Sequence, residues 1–368
     1  MQTDDKEKFN EAMDREFTDH YECQHRDIIH MKAVPKNEKM LDCVWAIRRK
    51  RNILTKQVYK WKAILNLHGG QQEYSVNYYD TYSPVMSLFT MRLIFVHILI
   101  HKWHTRQIDS VMVYPQAKIE NTIYMRFTYR IRTKKETVRS HVLKLKQNLY
   151  GQKHARRVRF QQLTFKLRDN GFQLSAIEEC VFNRQNAILF FYVDDDIFAS
   201  VDPKEVDKVI KELKDTGLVL EDQGYIADYL GINFIYSKNG TITMSQLQMI
   251  DLTIEDVFKF KRSKNLPDIP VLSTLILQRD DKAPPVKGKF HYISIIGKLN
   301  YPEKGIRPNI EYVTRQLARF YEIPRASHSK VVEQLVKYLI ATKDKEIILP
   351  PVKHKSIEVY VDADFSGN

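Results

Sequence analysis

The stretch from Ala187 to Ser200, AILFFYVDDDIFAS, constrains the fold more than any other part of this chain. Two apolar runs flank three consecutive aspartates, Asp194, Asp195 and Asp196. Acids disfavour a continued strand, so the pattern predicts two strands joined by an acidic turn. An ordinary tight turn would more naturally use Asn-Gly or Asp-Gly. Adjacent carboxylates also repel one another unless a cation offsets them. A plain turn and a metal-binding hairpin are therefore both open.

The next element is well marked. Asp202 is placed as an N-cap, Pro203 fits the first helical position, and Glu205 completes a capping-box pattern. Val206, Val209, Ile210 and Leu213 form an apolar stripe, and Gly217 is placed to end the helix. Upstream, Leu88 to Ile100 reads as a buried helix, Gln107 to Val111 as a short strand carrying Asp109, and Ala155 to Asn170 as a helix. The order strand, helix, strand–turn–strand, helix is that of a split βαβ sheet, and the fold class expected is α+β. Residues 5–18 have helical spacing, and Val44 to Lys62 reads as a hairpin turning at RRKRN. A second hairpin, Ile232 to Tyr236 and Thr241 to Met244, turns at Ser237 to Gly240. Lys261 to Lys289 has the prolines of a linker. Helices are expected over Pro308–Tyr321 and Ser329–Thr342, and a strand over Ser356–Val361.

Hard carboxylate oxygens suit Mg²⁺, which takes one or two of them together with substrate phosphates. Asp109 could supply a further carboxylate from across the sheet, the arrangement that two-metal phosphoryl or nucleotidyl transfer needs.

Charge adds a partner class. From Arg126 to Arg168 there are 14 Lys and Arg against one acid, Glu136, a local excess equal to the net charge of +13. Phe127, Tyr129, Tyr150 and Phe160 are interleaved with these cations. Cations and rings together suit a phosphate backbone and stacked bases; the alternative is a solvated surface over a few core aromatics. With 43% hydrophobic and 28% charged residues the chain is of ordinary globular composition, which excludes disordered, collagen-like and disulfide-scaffold classes. Cys23, Cys43 and Cys180 read as reduced thiols of an intracellular protein. The polar start has no apolar h-region, so no secretory signal is expected. Leu88 to Ile100 is too short to span a bilayer and contains Arg92 and His97, so no membrane partner is expected.

The segment YVDDDIF, with Tyr192-Val193-Asp194-Asp195, resembles the catalytic hairpin of reverse transcriptases from copia-type LTR retrotransposon polyproteins. Further blocks resemble the same family in the same order. They include VWAIRRKRN (44–52), YKWKAILNLHG (59–69), YYDTYSPV (78–85), WHTRQIDSVMVYPQA (103–117), HVLKLKQNLYGQKHA (141–155), DYLGINF (228–234), HYISIIGKLNY (291–301), RPNIEYVTRQLARF (307–320) and YVDADFSGN (360–368). The resemblance implies a right-hand polymerase: fingers over 1–100 with the N-terminal helix, interleaved with a ferredoxin-like palm over 101–238, and thumb and connection over 239–350. Residues 351–368 would be the first strand of a truncated RNase H domain.

It also implies an RNA-directed DNA polymerase working on an RNA template, a DNA primer and dNTPs. Asp109, Asp194 and Asp195 would be the catalytic carboxylates holding two Mg²⁺ ions, with Mn²⁺ as a substitute. Tyr114 would lie under the sugar and exclude a 2′-hydroxyl. Tyr150 and Gly151 would line the nucleotide pocket, and Lys62 would grip the triphosphate from the fingers. Lys144, Lys146, Lys153 and Arg157 would contact nucleic acid. Asp362 would be the first RNase H carboxylate, and with one such carboxylate no RNase H activity is expected. The site of action would be intracellular, a virus-like particle in the cytoplasm or the nucleus.

Several positions depart from the family's pattern. Ile64 stands where an arginine is usual, Val113 where a small residue precedes the gating aromatic, and Arg159 where a tryptophan is usual. An arginine in a ring's place is expected to be poorly solvated. These departures point to a decaying copy of an element, and the missing integrase, protease and capsid regions to a polyprotein fragment. A catalytically inactive, basic nucleic-acid-binding remnant is the alternative function. His20, Cys23, His25 and His30 match no paired zinc spacing.

Overall fold

The strands around residues 181–200 are apolar and buried along nearly their whole length, so they form the centre of one sheet, and that sheet positions the residues of functional interest. The structure, a computed structural model, describes residues 3–51, 57–127, 139–193, 195–258, 266–271, 276–285 and 290–350. Asp194, Asp362 and the strand expected at Ser356–Val361 lie outside the described residues.

The chain divides into two units. The first, residues 1–86 and 105–224, begins with helix α1 (Thr3–Glu22) and strands β1 (Arg26–His30), β2 (Met40–Leu41), β3 (Cys43–Arg51) and β4 (Val58–Leu67). Helix α2 (Leu88–His101) belongs to the second unit. The first continues with β5 (His104–Ser110), β6 (Tyr124–Arg126), β7 (His141–Leu145) and helix α3 (Ala155–Asp169). It ends with β8 (Gln173–Leu174), β9 (Val181–Arg184), β10 (Ala187–Tyr192), β11 (Asp195–Ser200), helix α4 (Pro203–Asp215) and β12 (Leu220–Gly224).

The main sheet has the order β12-β5-β11-β10-β9-β8. Taken alone, β12-β5-β11-β10 with α3 and α4 in the connections is the split βαβ order expected from the sequence. A second sheet, β1-β7-β6-β2, and the hairpin β3–β4 complete the unit around Leu41, Leu65, Met125, Leu143 and Leu149. The charged run Arg48–Arg51 continues β3 rather than turning: Arg48 lies opposite Lys62 and Arg49 opposite Trp61. It is held there because Arg49 pairs with Asp5 on α1 at 2.6 Å and Lys8 sits over the Trp61 ring. Helix α4 is capped by Asp202, whose Oδ1 accepts from the Lys204 N–H at 2.9 Å. Glu205 does not close a capping box; its carboxylate accepts from Arg184 of β9, a stronger charge-assisted bond.

The second unit contains α2, β13 (Asp228–Tyr229), β14 (Ile232–Tyr236), β15 (Ile242–Ser245) and helices α5 (Leu247–Phe258), α6 (Tyr292–Gly305), α7 (Glu311–Ala318) and α8 (Ala326–Ala341), then β16 (Ile347–Leu349). Its sheet is β13-β14-β15-β16, and its helical core gathers Ile250, Ile296, Leu299, Leu317, Leu335 and Leu339. This division departs from the boundary expected at residue 100, because Phe95 of α2 packs on Phe234 of β14 with ring centroids 4.7 Å apart. Nor does a boundary fall at 238, since β14 and β15 form one hairpin across it. Among the described residues no helix is long and apolar enough to cross a membrane.

Candidate active site

The hairpin β10–β11 is in register from Ala187–Ser200 to Tyr192–Asp195, with Val193 in the turn that follows β10. The acids are thus distributed differently from the expected all-acidic turn: Asp195 and Asp196 already belong to β11. Val193 has φ +64°, a left-handed conformation that is costly for a β-branched residue. A two-residue hairpin loop demands positive φ at this position, and the paired strands enforce it. Asp195 and Asp196 point to opposite faces of the sheet by strand alternation. Asp195 is half-buried and Asp196 is buried at 4% exposure.

Strand β5 is the neighbour of β11, so half-buried Asp109 stands on the strand adjoining Asp195. On its other side Asp109 faces Glu221 of β12 in direct register. Sequence reasoning missed Glu221, because LVLEDQG has only the look of a polar edge. Opposed like charges in a sheet are destabilising, and a cation would relieve them. Among the described residues no group of three or more His, Cys, Asp or Glu is gathered closely enough to hold a metal. Asp109 and Asp195 supply two hard carboxylates, the number Mg²⁺ commonly takes beside substrate phosphates.

Next to the hairpin lies a cleft of about 630 Å³, lined by Thr81, Tyr114, Tyr150, Gly151, Lys153 and Val193 among others. The structure therefore brings together Tyr114, Tyr150 and Gly151, which the sequence nominated separately. Tyr114 meets Tyr150 edge-on, with centroids 4.8 Å apart, over buried Val113 and Ala155. Gly151 has φ +85°, and an added Cβ would meet the Leu67 carbonyl oxygen at 2.2 Å. The Leu67 N–H donates to the Tyr150 carbonyl at 2.8 Å, so the end of β4 is docked directly on this segment. Only glycine permits both the turn and the contact.

Other nominated residues lie elsewhere. Lys62 lines a groove of about 420 Å³ between β4 and α1, with Lys8, Glu11, Arg15 and Trp61, and not the Tyr114 cleft. Lys146 pairs with Asp27 at 2.6 Å. Lys144 stands on β7 between Asp27 of β1 and Tyr124 of β6. The Lys153 ammonium donates to the Tyr78 hydroxyl at 3.1 Å and lies over its ring. Arg157 donates to the Asp80 carbonyl at 3.0 Å and pairs with Glu120. Lys153 and Arg157 thus tie down the loop that presents Thr81 to the cleft. His154, at the head of α3, is fully buried, and burial holds its imidazole below the ordinary range.

Arg159 is poorly solvated, as expected, at 2% exposure, and the structure adds a buried partner for its charge: its Nη2 donates to Ser110 Oγ at 2.9 Å and lies 3.9 Å from Asp196 Oδ2.

Residues 26–271 match the family described as reverse transcriptase (RNA-dependent DNA polymerase). This chain belongs to that family. Its relatives bear out the copia-type resemblance. One is the retrovirus-related Pol polyprotein from transposon RE1 of Arabidopsis thaliana, 25% identical over 338 residues, covering 91% of this chain and 22% of the relative. Another, from transposon TNT 1-94 of Nicotiana tabacum, is 24% identical and covers 91% of this chain and 26% of the relative. The Ty1-ER2 Gag-Pol polyprotein of Saccharomyces cerevisiae is 24% identical over 78% of this chain and 17% of its own length. The chain therefore spans about a quarter or less of the length of these curated relatives.

Proposed function

We propose that this chain is an RNA-directed DNA polymerase that joins a deoxynucleotide to a primer 3′-hydroxyl, forming a phosphodiester and releasing pyrophosphate. The reading is carried by one juxtaposition: Asp109 on β5 adjoins the strand of Asp195, beside the cleft of Tyr114, Tyr150 and Gly151. In it the six-stranded sheet is a ferredoxin-like palm, α1 and the β3–β4 hairpin belong to the fingers, and the helices after residue 239 form the thumb and connection.

Asp109 and Asp195, with Asp194 next to it in sequence, would hold two Mg²⁺ ions, or Mn²⁺ in their place. Ions held by these carboxylates would supply a lowered pKa for the 3′-hydroxyl and a positive charge opposite the leaving pyrophosphate. Tyr114 forms the floor beneath the sugar and leaves no room for a 2′-hydroxyl. The backbone at Gly151 approaches the nucleotide closely because no side chain intervenes. RNA template and DNA primer would lie along the open face of the sheet.

The inactive-remnant reading draws less support. Its basic segment is partly neutralised within the fold, by Asp27, Glu120 and Asp42. Arg159, which taken alone argued for decay, has partners.

Primer extension on poly(rA)–oligo(dT), with Mg²⁺ and separately with Mn²⁺, tests the proposal. Incorporation by the wild type that vanishes in Asp194→Asn is expected. A folded protein that binds the duplex but extends no primer in either metal would sink it.

A further inference from the structure

The sheet face opposite Asp109 and Asp195 carries a buried polar chain. Ser110 Oγ donates to Asp196 Oδ2 at 2.8 Å, and the same oxygen accepts from Arg159 Nη2 at 2.9 Å. Exposure is 3% or less for Ser110 and Arg159 and 4% for Asp196. These residues come from three elements: β5, β11 and α3. Ser110 directly follows Asp109, and Asp196 directly follows Asp195. The side-chain bond therefore spans the two strands one residue beyond each candidate metal carboxylate.

A buried ion pair is a weak source of stability, because desolvation offsets its attraction; apolar side chains would hold the same elements together as well. What the hydroxyl bridge adds is direction. An apolar contact tolerates sliding of a strand by fractions of an ångström, whereas a hydrogen bond at 2.8 Å between two buried side chains does not. Arg159 also lines, with Tyr114, Phe191 and Val193, a small cavity beside the turn, which brings the network next to it. Val193 is held in the left-handed region, so the turn needs surroundings that over-determine it.

We propose that Arg159, Ser110 and Asp196 form a positioning network that sets the spacing of Asp109 and Asp195 from behind the sheet. The inference rests on the polymerase reading only in taking those two carboxylates as metal ligands. None of the three residues touches substrate; they act through the strands that carry the ligands.

The test is Mn²⁺ binding to the purified chain, followed by electron paramagnetic resonance, with primer extension and thermal unfolding measured alongside. Ser110→Ala keeps both buried charges and removes only the bridge. It is expected to weaken Mn²⁺ binding about tenfold and to lower kcat while leaving KM for the primer–template near wild type, and to lower the unfolding temperature because buried Arg159 and Asp196 lose the hydroxyl they share. Ser110→Thr, which restores a hydroxyl, is expected to recover Mn²⁺ binding and kcat. The double variant Arg159→Met with Asp196→Leu is expected to fold as well as wild type yet bind Mn²⁺ as weakly as Ser110→Ala. Wild-type Mn²⁺ affinity and kcat in Ser110→Ala and in the double variant would reduce the network to packing and overturn the inference alone. A wild type that takes up no Mn²⁺ would overturn the polymerase reading and this inference with it.

Discussion

The two units bury charge for different purposes. In the second, buried polar groups serve the ends of helices: Arg307 donates to the Thr342 carbonyl and hydroxyl just past α8, and His328 accepts from the Arg325 N–H at its start. The rest of that core is mostly apolar, with Leu299, Leu317, Leu335 and Leu339 fully buried beside Tyr292 and Tyr338, although Glu303 is buried too and faces Arg315 of α7. In the first unit, Arg159, Ser110 and Asp196 bond side chain to side chain between separate elements. The same unit holds a valine at positive φ and a glycine pressed against a backbone oxygen. Satisfying helix ends makes a unit stable, whereas strained turns and buried charge fix particular atoms in place. The polymerase reading places its chemistry in the first unit, where Asp109 and Asp195 stand next to these fixed atoms.

That contrast breaks most readily at the carboxylates. Asp109→Asn and Asp195→Asn are expected to lower primer extension by a thousandfold or more, about 4 kcal/mol in the barrier, with little change in unfolding temperature. An equal loss of stability would mean that these acids hold the sheet rather than a metal. Leu299→Ala in the second unit should show the reverse, a loss of about 2–5 kcal/mol in denaturant unfolding with Mn²⁺ affinity unchanged. Gly151→Ala belongs to the first pattern and is expected to cost about 1–2 kcal/mol and to raise KM for the nucleotide, as steady-state kinetics would register. Should KM stay put, the cleft is not the nucleotide's.

The smallest effect concerns pH. Burial, and then the neighbouring His20, lower the His25 pKa from 6.5 to about 4. The unfolded chain binds the proton first, so stability is full above pH 6.5 and drains away as pH falls toward 4. Half-exposure to solvent limits the loss to about 1–2 kcal/mol. Chemical denaturation across this range should show it in the wild type and not in His25→Gln.

Local elements were legible where a periodic or capping signal stood alone. Asp202-Pro203, the stripe behind them and Gly217 identify α4 to within two residues, because a cap and an apolar face act over one helical turn. Helix α6 was hidden, since Gly297 and Pro302 both speak against a helix interior. It forms because Ile295, Ile296 and Leu299 have a core to enter. The basic run Arg48–Arg51 read as a turn, and it is strand because Asp5 and Trp61 receive it. Within the site, Asp109 and Asp195 were nominated by residue type and position, but Glu221 and the role of Asp196 were not. An acid's facing depends on the strand register, and register depends on partners far along the chain.

By itself the sequence determined the family, the α+β class and the order of the elements around the acidic hairpin, since these follow from local pattern and motif order. Tertiary structure alone decided which face each aspartate takes, that Lys62 lies on the α1 groove, and that Arg159 has a partner 49 residues away in Ser110. Those outcomes are set by which buried polar groups can satisfy one another, and such matches exist only once the sheet has brought the strands side by side.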